Sequence, residues 1–108
     1  MKDATRSALS LLGLGLKAGR LSVGVEAAHA ALQRGKAEAV VMPGDAGDRA
    51  KEKLVALAFH KQVPVMIAAD AERLGAALGR PPVHGVAVLD RQLAKGLKTY
   101  LATETVAG

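Results

Sequence analysis

The amino-acid sequence predicts an α/β fold in which a small mixed or mostly parallel sheet of about four strands lies between layers of helices. The chain has 108 residues, half of them hydrophobic, which is the length of one domain with a buried core. Four short apolar runs alternate with segments in which apolar residues recur at helical spacing, as in sheets covered by helices. We therefore expect residues 1–108 to form a single domain without a linker.

Turn and cap residues divide the chain into nine predicted elements. An uninterrupted apolar run such as residues 39–42 is typical of a strand buried on both faces. Asp and Gly residues between the runs can begin and end helices. In chain order we predict a helix over 4–18, a strand over 21–23, a helix to about Gln33, a strand over 39–42, a helix over 48–61, a strand over 63–68, a helix through Leu78, a strand over 85–89 and a last helix beyond Asp90.

The caps and inner faces of these helices follow from the same patterns. Short polar side chains are the expected N-caps. The inner faces are taken from helical spacing, and the tail from Thr103 is expected to fray. The predicted caps are Asp3 or Thr5, then Asp45 or Asp48, then Asp70 and Asp90, and the predicted inner stripes are Ala50, Leu54, Leu57, Ala58 and Lys61 in the third long helix and Leu93, Leu97, Tyr100 and Leu101 in the last.

The amino terminus imitates a secretory signal, because Lys2 and Arg6 precede an apolar stretch. We interpret it as a helix of the mature protein, since leucines recur there at helical spacing and Asp3 interrupts the basic region. The apolar run is also too short to span a bilayer. We expect no membrane association and a cytoplasmic location.

Composition narrows the possible functions. Phe59 and Tyr100 are the aromatic residues of the chain, which argues against modules that stack bases on exposed aromatic rings. The net charge of +5 fits contact with nucleic acid but is also common in small proteins. The basic excess lies toward both ends of the sequence, with six Lys and Arg against two acidic residues in 1–36 and four against two in 80–108.

The stretch from Gly24 to Gly35 predicts a loop that turns into a helix with two different sides. Val25 shares one side with apolar residues, whereas Glu26 lies on the other. A helix that starts at Gly presents free N–H groups and its positive dipole end to anions or base edges. Such a start suits a phosphate backbone, although a half-buried surface helix with solvated charges remains the simpler alternative. We expect the cations that flank it in the sequence to surround the helix start and to contact RNA phosphates there; they are Lys17, Arg20, Arg34 and Lys36.

Motifs for catalysis, metal binding and nucleotide binding are not found. The glycines of residues 13–19 follow no predicted strand, and Lys36 is followed by Ala37 where a phosphate-binding loop needs a hydroxyl. His29, His60 and His84 have no acidic partner at a ligand-like spacing, and the chain has no cysteine. We therefore predict no metal, no cofactor and no enzymatic activity.

Several local patterns, in order along the chain, together resemble the bacterial YlxQ-like members of the ribosomal protein L7Ae family, which includes L30e and S12e. Each pattern is weak alone, but they run from about residue 9 to residue 97 in the family's order without an obvious gap. The patterns are Leu11-Leu-Gly-Leu-Gly-Leu-Lys-Ala-Gly-Arg-Leu, Gly24 with Ala31-Leu-Gln-Arg-Gly, Ala39-Val-Val-Met-Pro-Gly-Asp, Val63-Pro-Val, Leu74-Gly-Ala-Ala-Leu-Gly and Gly85-Val-Ala-Val.

The resemblance implies a three-layer α/β/α sandwich that binds structured RNA of the kink-turn kind, such as ribosomal RNA. In that family the first turn of the second helix contacts the edges of sheared G·A pairs, and a second loop covers a flipped-out nucleotide. The first contact maps onto Gly24, Val25, Glu26, Ala27 and Ala30. The second contact maps onto Arg80, Pro81, Pro82 and Val83.

The sequence departs from the family pattern at the first of these contacts. The family usually has Asn and Glu at the places of Glu26 and Ala27, and Lys at the place of Ala30. Losing two polar contacts at about 1–3 kcal/mol each would weaken binding by roughly 10²- to 10⁴-fold. Glu26 can still accept hydrogen bonds from base edges, and the nearby cations can contact phosphates.

Three functions are therefore weighed. The first is a non-catalytic, monomeric RNA-binding protein whose partner is structured RNA, with the ribosome or a ribosome-assembly factor as a further partner. The second is a protein-interaction module on the same fold, in which Val25, Ala27 and Ala30 form a smooth patch. The third is the substrate-binding part of an RNA-modifying enzyme, which would need a fused catalytic domain.

Overall fold

The computed structural model of this chain describes residues 2–104, where five helices alternate with five strands. The side chains of Lys2, Asp3 and Glu104 lie outside the description. The elements are α1 (Lys2–Lys17), β1 (Leu21–Val23), α2 (Val25–Gln33), β2 (Ala39–Met42), α3 (Asp48–His60), β3 (Val65–Ile67), α4 (Ala71–Ala77), β4 (Val86–Val88), α5 (Arg91–Tyr100) and β5 (Ala102–Glu104).

The five strands form one mixed sheet in the order β1-β4-β2-β3-β5. β4 is antiparallel to β1 and β2, β2 is parallel to β3, and β5 is antiparallel to β3. β1, β2 and β3 therefore run in one direction and finish at the same edge of the sheet. We call this side of the sheet, where Gly24 follows β1, the Gly24 end. We call the opposite side, where Glu38 precedes β2, the Glu38 end.

The core has two layers, one on each face of the sheet. Val40 and Met42 of β2 pack against α2 and α3, whereas Ala39 and Val41 pack against α1, α4 and α5. All four β2 residues are buried, because alternate side chains of a strand point to opposite faces and both faces are covered. The three-layer α/β/α sandwich is confirmed, with one strand more than the four expected.

Two of the predicted caps are confirmed. The carboxylate of Asp70 accepts a hydrogen bond from the backbone N–H of Arg73 at 2.8 Å, at the start of α4. Asp90 accepts one from the N–H of Leu93 at 2.8 Å, at the start of α5. Each side chain satisfies one N–H group that has no partner within its helix.

The caps predicted for α1 and α3 are wrong in part. α1 begins at Lys2, so Thr5 lies inside the helix, and the side chain of Asp3 lies outside the description. α3 has Gly47 as its N-cap and no side-chain cap. Asp45 instead accepts a hydrogen bond from the N–H of Ala71 at 2.8 Å, so it supports the start of α4. The turn after β2 thus stabilises a helix from elsewhere in the chain.

The predicted tail and two stripe residues also need correction. Thr103 lies in β5 and pairs with Met66, because backbone hydrogen bonds to an edge strand require no apolar pattern in the added strand. Tyr100 is 40% exposed at the last turn of α5, and Lys61 is exposed just beyond α3. Both continue a helical stripe past the point where the core ends.

No helix within residues 2–104 combines the length and apolar character that crossing a bilayer requires.

Candidate nucleic-acid interface

Gly24 joins β1 to α2 in a backbone conformation that favours glycine. Its φ is 107° and its ψ is 153°, a region that residues with a side chain rarely occupy. The N–H of Gly24 donates to the carbonyl of Gly85 at 2.8 Å, and its own carbonyl accepts from the N–H of Ala28 at 2.9 Å. α2 has no side-chain cap. Gly24 is therefore held in place by backbone hydrogen bonds, without a side-chain cap on α2.

The loop formed by residues 80–84 lies back along α4. The N–H of Arg80 donates to the carbonyl of Gly75 at 2.9 Å, and the N–H of Val83 donates to the carbonyl of Ala71 at 3.0 Å. A β-carbon added to Gly75 would clash with the backbone carbonyls of Arg80 and Pro81. The loop can approach α4 this closely because position 75 has no side chain.

The start of α2 and this loop face each other across a shallow depression of about 350 Å³. Arg80, Pro81 and Pro82 are exposed, whereas the side chain of Val83 is buried in the core. Two sequence segments that were predicted to contact RNA separately thus form one surface. The lining residues are Val23, Gly24, Val25, Arg80, Pro81, Pro82, Val83 and His84.

Ion pairs join the first turn of α2 to the first two turns of α3. The carboxylate of Glu26 lies 2.7 Å from the guanidinium of Arg49 and 3.0 Å from the ammonium of Lys53. Hydrogen bonds from Arg49 and then Lys53 hold the pKa of Glu26 below its ordinary value of 4.5. The Glu26 side chain remains 63% exposed, so its carboxylate stays accessible while two cations neutralise it.

The loop is also tied to α3. Nδ1 of His84 accepts a hydrogen bond from the backbone N–H of Gly47 at 3.1 Å. Gly47 is the N-cap of α3, and Asp45 beside it supports the start of α4. The starts of α2, α3 and α4 and the loop 80–84 therefore form one connected surface at the Gly24 end.

The remaining predicted residues of α2 lie on its first two turns. Ala27 is exposed and Ala30 is half-buried. The backbone N–H groups and the charged side chains described on this surface can donate and accept hydrogen bonds. Among the side chains that the structure describes, those of residues 4–103, no three from His, Asp or Glu come close enough to hold a metal ion.

The prediction that Lys17, Arg20, Arg34 and Lys36 flank the helix start is wrong. Arg20 precedes β1 at the Glu38 end, where its guanidinium lies 3.2 Å from Asp90. Arg34 caps the carboxyl end of α2, about 15 Å from Gly24 at 1.5 Å per residue. β1 and α2 each carry the chain from one end of the sheet to the other. Arg20 and Arg34, at the far ends of β1 and α2, are therefore close to Gly24 in the sequence but far from it in space.

The cations that do lie beside the helix start come from elsewhere. Arg49 and Lys53 belong to α3, and neither was among the predicted site residues. Because β1 and β2 are parallel, the helices that follow them both begin at the Gly24 end. Arg49 and Lys53 are four residues apart and so share one helix face. That spacing, together with a lone acidic residue at Glu26, is the signal by which the sequence could have indicated them.

Comparisons with known proteins agree with this architecture. Residues 6–98 match the model of a family described as ribosomal protein L7Ae/L30e/S12e/Gadd45. A solved structure of a protein of unknown function from Bacillus halodurans is 32% identical, covers 86% of this chain and 94% of its own, and has a TM-score of 0.80. A 15.5 kD RNA-binding protein of Giardia lamblia is 21% identical, covers 91% and 88%, and has a TM-score of 0.74. No curated protein matches the chain.

Proposed function

We propose that this chain, which belongs to the ribosomal protein L7Ae/L30e/S12e/Gadd45 family, is a non-catalytic protein that binds structured RNA of the kink-turn kind at the Gly24 end. The depression between the start of α2 and the loop 80–84 carries this proposal. It brings an uncapped helix start and an exposed arginine together on one concave surface. The structural relative from Giardia lamblia, whose title describes an RNA-binding protein, has the same fold.

The start of α2 supplies donors for the RNA. The first N–H groups of a helix have no partner within it and carry its positive dipole end. With no side-chain cap, these groups of Val25, Glu26 and Ala27 are available to phosphate oxygens or to acceptors on base edges. The absent β-carbon of Gly24 leaves room for a close approach, since nothing lies within 4 Å of where it would stand.

The loop 80–84 forms the other wall. Arg80 is exposed at the rim, where a guanidinium can bind a phosphate with two parallel hydrogen bonds. Pro81 and Pro82 give the wall a stiff apolar surface. A volume of about 350 Å³ is within the range of small-ligand sites, so an unstacked nucleobase is the group we propose for the depression.

Glu26 takes part through its remaining acceptor positions. A carboxylate has about four lone-pair positions, and Arg49 and Lys53 each use one. Amino and imino groups on base edges can occupy the others. An isolated carboxylate would repel RNA phosphates, but with two cations in contact the local charge is positive.

The proposed setting is ribosomal or another folded RNA in the cytoplasm, with the protein acting as a monomer and with the ribosome or an assembly factor as a further partner. Binding of a kink-turn RNA and of a plain RNA duplex of equal length should be compared by mobility shift at two salt concentrations. We expect the kink-turn RNA to bind more tightly at both. Equal affinity would exclude kink recognition.

Substitution of Arg80 tests the surface itself. Arg80→Ala should weaken kink-turn binding, whereas Arg6→Ala should leave the preference for the kink intact. Arg6 is an exposed residue of α1 that does not line the depression, so it controls for the loss of one charge. Equal effects of the two variants would show that only net charge matters.

A protein-interaction module is the second candidate function. It is favoured by the small side chains of Ala27 and Ala30 beside Val25, and by the engagement of Glu26 with two cations. Co-purification from a nuclease-treated lysate separates the two functions. A protein partner that survives nuclease and is lost in Ala27→Arg would favour the second.

A further inference from the structure

The positive charge of this protein is concentrated at the Glu38 end, away from the proposed kink-turn site. The basic residues there outnumber the acidic ones eight to three even when Glu104, which ends β5 at that edge, is included. Glu38 and Asp90 are the two acidic residues there with described side chains. The basic residues are Lys17, Arg20, Arg34, Lys36, Lys61, Arg91, Lys95 and Lys98.

The Gly24 end has no such excess. In the first two turns of α2, α3 and α4, the turn before α3 and the loop 80–84, five basic residues stand against six acidic ones. The net charge of +5 therefore arises almost entirely at the Glu38 end. The basic residues of the Gly24 end are Arg49, Lys51, Lys53, Arg73 and Arg80, and the acidic ones are Glu26, Asp45, Asp48, Glu52, Asp70 and Glu72.

The cations of the Glu38 end lie on four helices, α1, α2, α3 and α5, or on the segments that follow them. Arg91, Lys95 and Lys98 follow each other by four and three residues, so they form one stripe along α5. This stripe borders a depression of about 350 Å³ that Glu38 and Pro64 also line. The cations thus stand next to the starts of β2 and β3.

The loops before β2 and β3 add further cations to the stripe. Lys36 precedes Glu38 by two residues and is exposed. The ammonium of Lys61 lies 3.5 Å from the carbonyl of Gln33, which places the loop after α3 beside the end of α2. Arg20 and Lys17 extend the surface past Asp90 toward β1.

Few of these charges are neutralised within the protein. Asp90 pairs with Arg20 at 3.2 Å, and Glu38 approaches Arg91 at 3.8 Å. No ion pair within the described residues involves Lys36, Lys61, Lys95 or Lys98. Keeping so many like charges together costs free energy through mutual repulsion, which a polyanion would relieve.

We propose that the Glu38 end is a second RNA-binding surface, which holds the phosphate backbone of a double-stranded RNA segment while the Gly24 end holds the kink. The proposal rests on the proposed function only in taking RNA as the polyanion. The exposed cations are spread over four elements, as expected for a surface that contacts the phosphate backbone of RNA rather than the edges of its bases. The protein would then join two RNA segments, or two parts of one folded RNA.

A charge-neutralised variant tests this surface. Lys36, Lys61, Lys95 and Lys98, each changed to Gln, remove four charges without touching a buried residue. The matched control changes Arg49, Lys51, Lys53 and Arg80 to Gln at the Gly24 end. Binding of the unmodified protein and both variants to a plain RNA duplex and to a kink-turn RNA is measured between low and moderate salt.

We expect the Glu38-end variant to bind the plain duplex less tightly, with a salt slope smaller by about three, since each phosphate contact contributes close to one. Its preference for kink-turn RNA over the duplex should remain. The control should lose that preference and keep more of the duplex binding. Equal loss of duplex binding in both variants, or an unchanged salt slope, would overturn the proposal.

Two further experiments distinguish failure of the proposed function from failure of the second surface. If the unmodified protein does not prefer kink-turn RNA, the proposed function is wrong. The second surface is then still tested by the binding of the plain duplex to the Glu38-end variant. Vesicles containing phosphatidylserine test a membrane as the polyanion. Vesicle binding that depends on the four lysines, without duplex binding, would also overturn the proposal. A bead-bound kink-turn RNA that captures a labelled duplex through the protein would support the joining of two segments.

Discussion

The carboxylate of Glu26 lies 2.7 Å from the guanidinium of Arg49, so the first turn of α2 and the first turn of α3 are joined across the protein surface. Lys53 contributes a second ion pair at 3.0 Å. These contacts place two cations beside the proposed RNA site, and they come from a helix that follows Gly24 by more than twenty residues. They also neutralise an acidic group that would otherwise repel phosphates.

The titration of Glu26 should report these ion pairs. Its pKa is lowered from 4.5 by hydrogen bonds from Arg49 and then Lys53, so we expect a value below 4.5 in a carboxyl NMR titration of the folded protein. The stabilisation from these pairs is present above pH 4.5 and is lost as the pH falls through the lowered pKa.

The control for this titration is the double variant Arg49→Ala, Lys53→Ala, in which the pKa of Glu26 should return toward 4.5. A pKa that does not move would show that the ion pairs do not form in solution. Because the side chain is exposed, added salt should also raise the pKa of Glu26 in the unmodified protein.

Gly24→Ala should destabilise the protein through backbone strain rather than through a clash. An added β-carbon would meet no atom within 4 Å, but φ is +107°. A residue held in such a region costs about 1–3 kcal/mol, and the free energy of unfolding in urea should fall by that amount.

Gly96→Ala is the matched control, since it adds the same atom within α5, 3.6 Å from Leu11. There the change should stabilise the protein by roughly 0.5–1 kcal/mol, because Ala loses less backbone entropy than Gly in a helix. Destabilisation of equal size in both variants would refute the assignment of strain to Gly24.

Gly75→Ala should displace the loop 80–84. The new methyl group would meet the backbone carbonyls of Arg80 and Pro81, and backbone cannot yield as a flexible side chain does. Overpacking of this kind costs about 1–3 kcal/mol. We expect lower stability, shifted amide resonances for Val83 and His84, and weaker kink-turn binding. Unchanged resonances in the loop would contradict the close packing on α4.

His84→Ala should loosen the connection between the loop and α3. It removes the acceptor for the N–H of Gly47, at 3.1 Å, and a hydrogen bond of this kind contributes about 0.5–1.5 kcal/mol. The amide of Gly47 should exchange faster with solvent. His84→Asn, whose side-chain oxygen can stand near the position of Nδ1, should restore most of the protection. Identical exchange in all three proteins would show that this bond does not hold the loop.

The local elements of the fold could be predicted from the sequence, because local interactions dictate them. The residues of β2 are apolar without a break, so the strand could be predicted as buried on both faces. Asp70 and Asp90 cap their helices through contacts three residues away. β5 could not be predicted, since its pairing with β3 depends on backbone hydrogen bonds between residues far apart in the sequence.

Part of the candidate site could also be identified before the structure was known. Gly24 follows from the residue pattern of the helix start, whereas the loop from Arg80 to Val83 follows only from the resemblance to the family, and the structure brings the two to one depression. Arg49 and Lys53 were not among the predicted site residues, because their four-residue spacing is only a weak signal and their position beside Glu26 depends on the parallel arrangement of β1 and β2. The same arrangement separates Arg20 and Lys36 from Gly24, although they lie within twelve residues of it.

The sequence by itself determined the order of the five helices and the first four strands, the two-sided core and the glycine at which α2 begins, since these follow from local conformational preference and apolar spacing. Only the tertiary structure decided which charges share a surface. The direction of each strand determines whether the following connection lies at the Gly24 end or at the Glu38 end. Charged residues therefore lie together because they share an end of the sheet, whatever their distance along the chain. That is why the cations expected beside Gly24 lie at the Glu38 end, and why Glu26 finds its partners in α3.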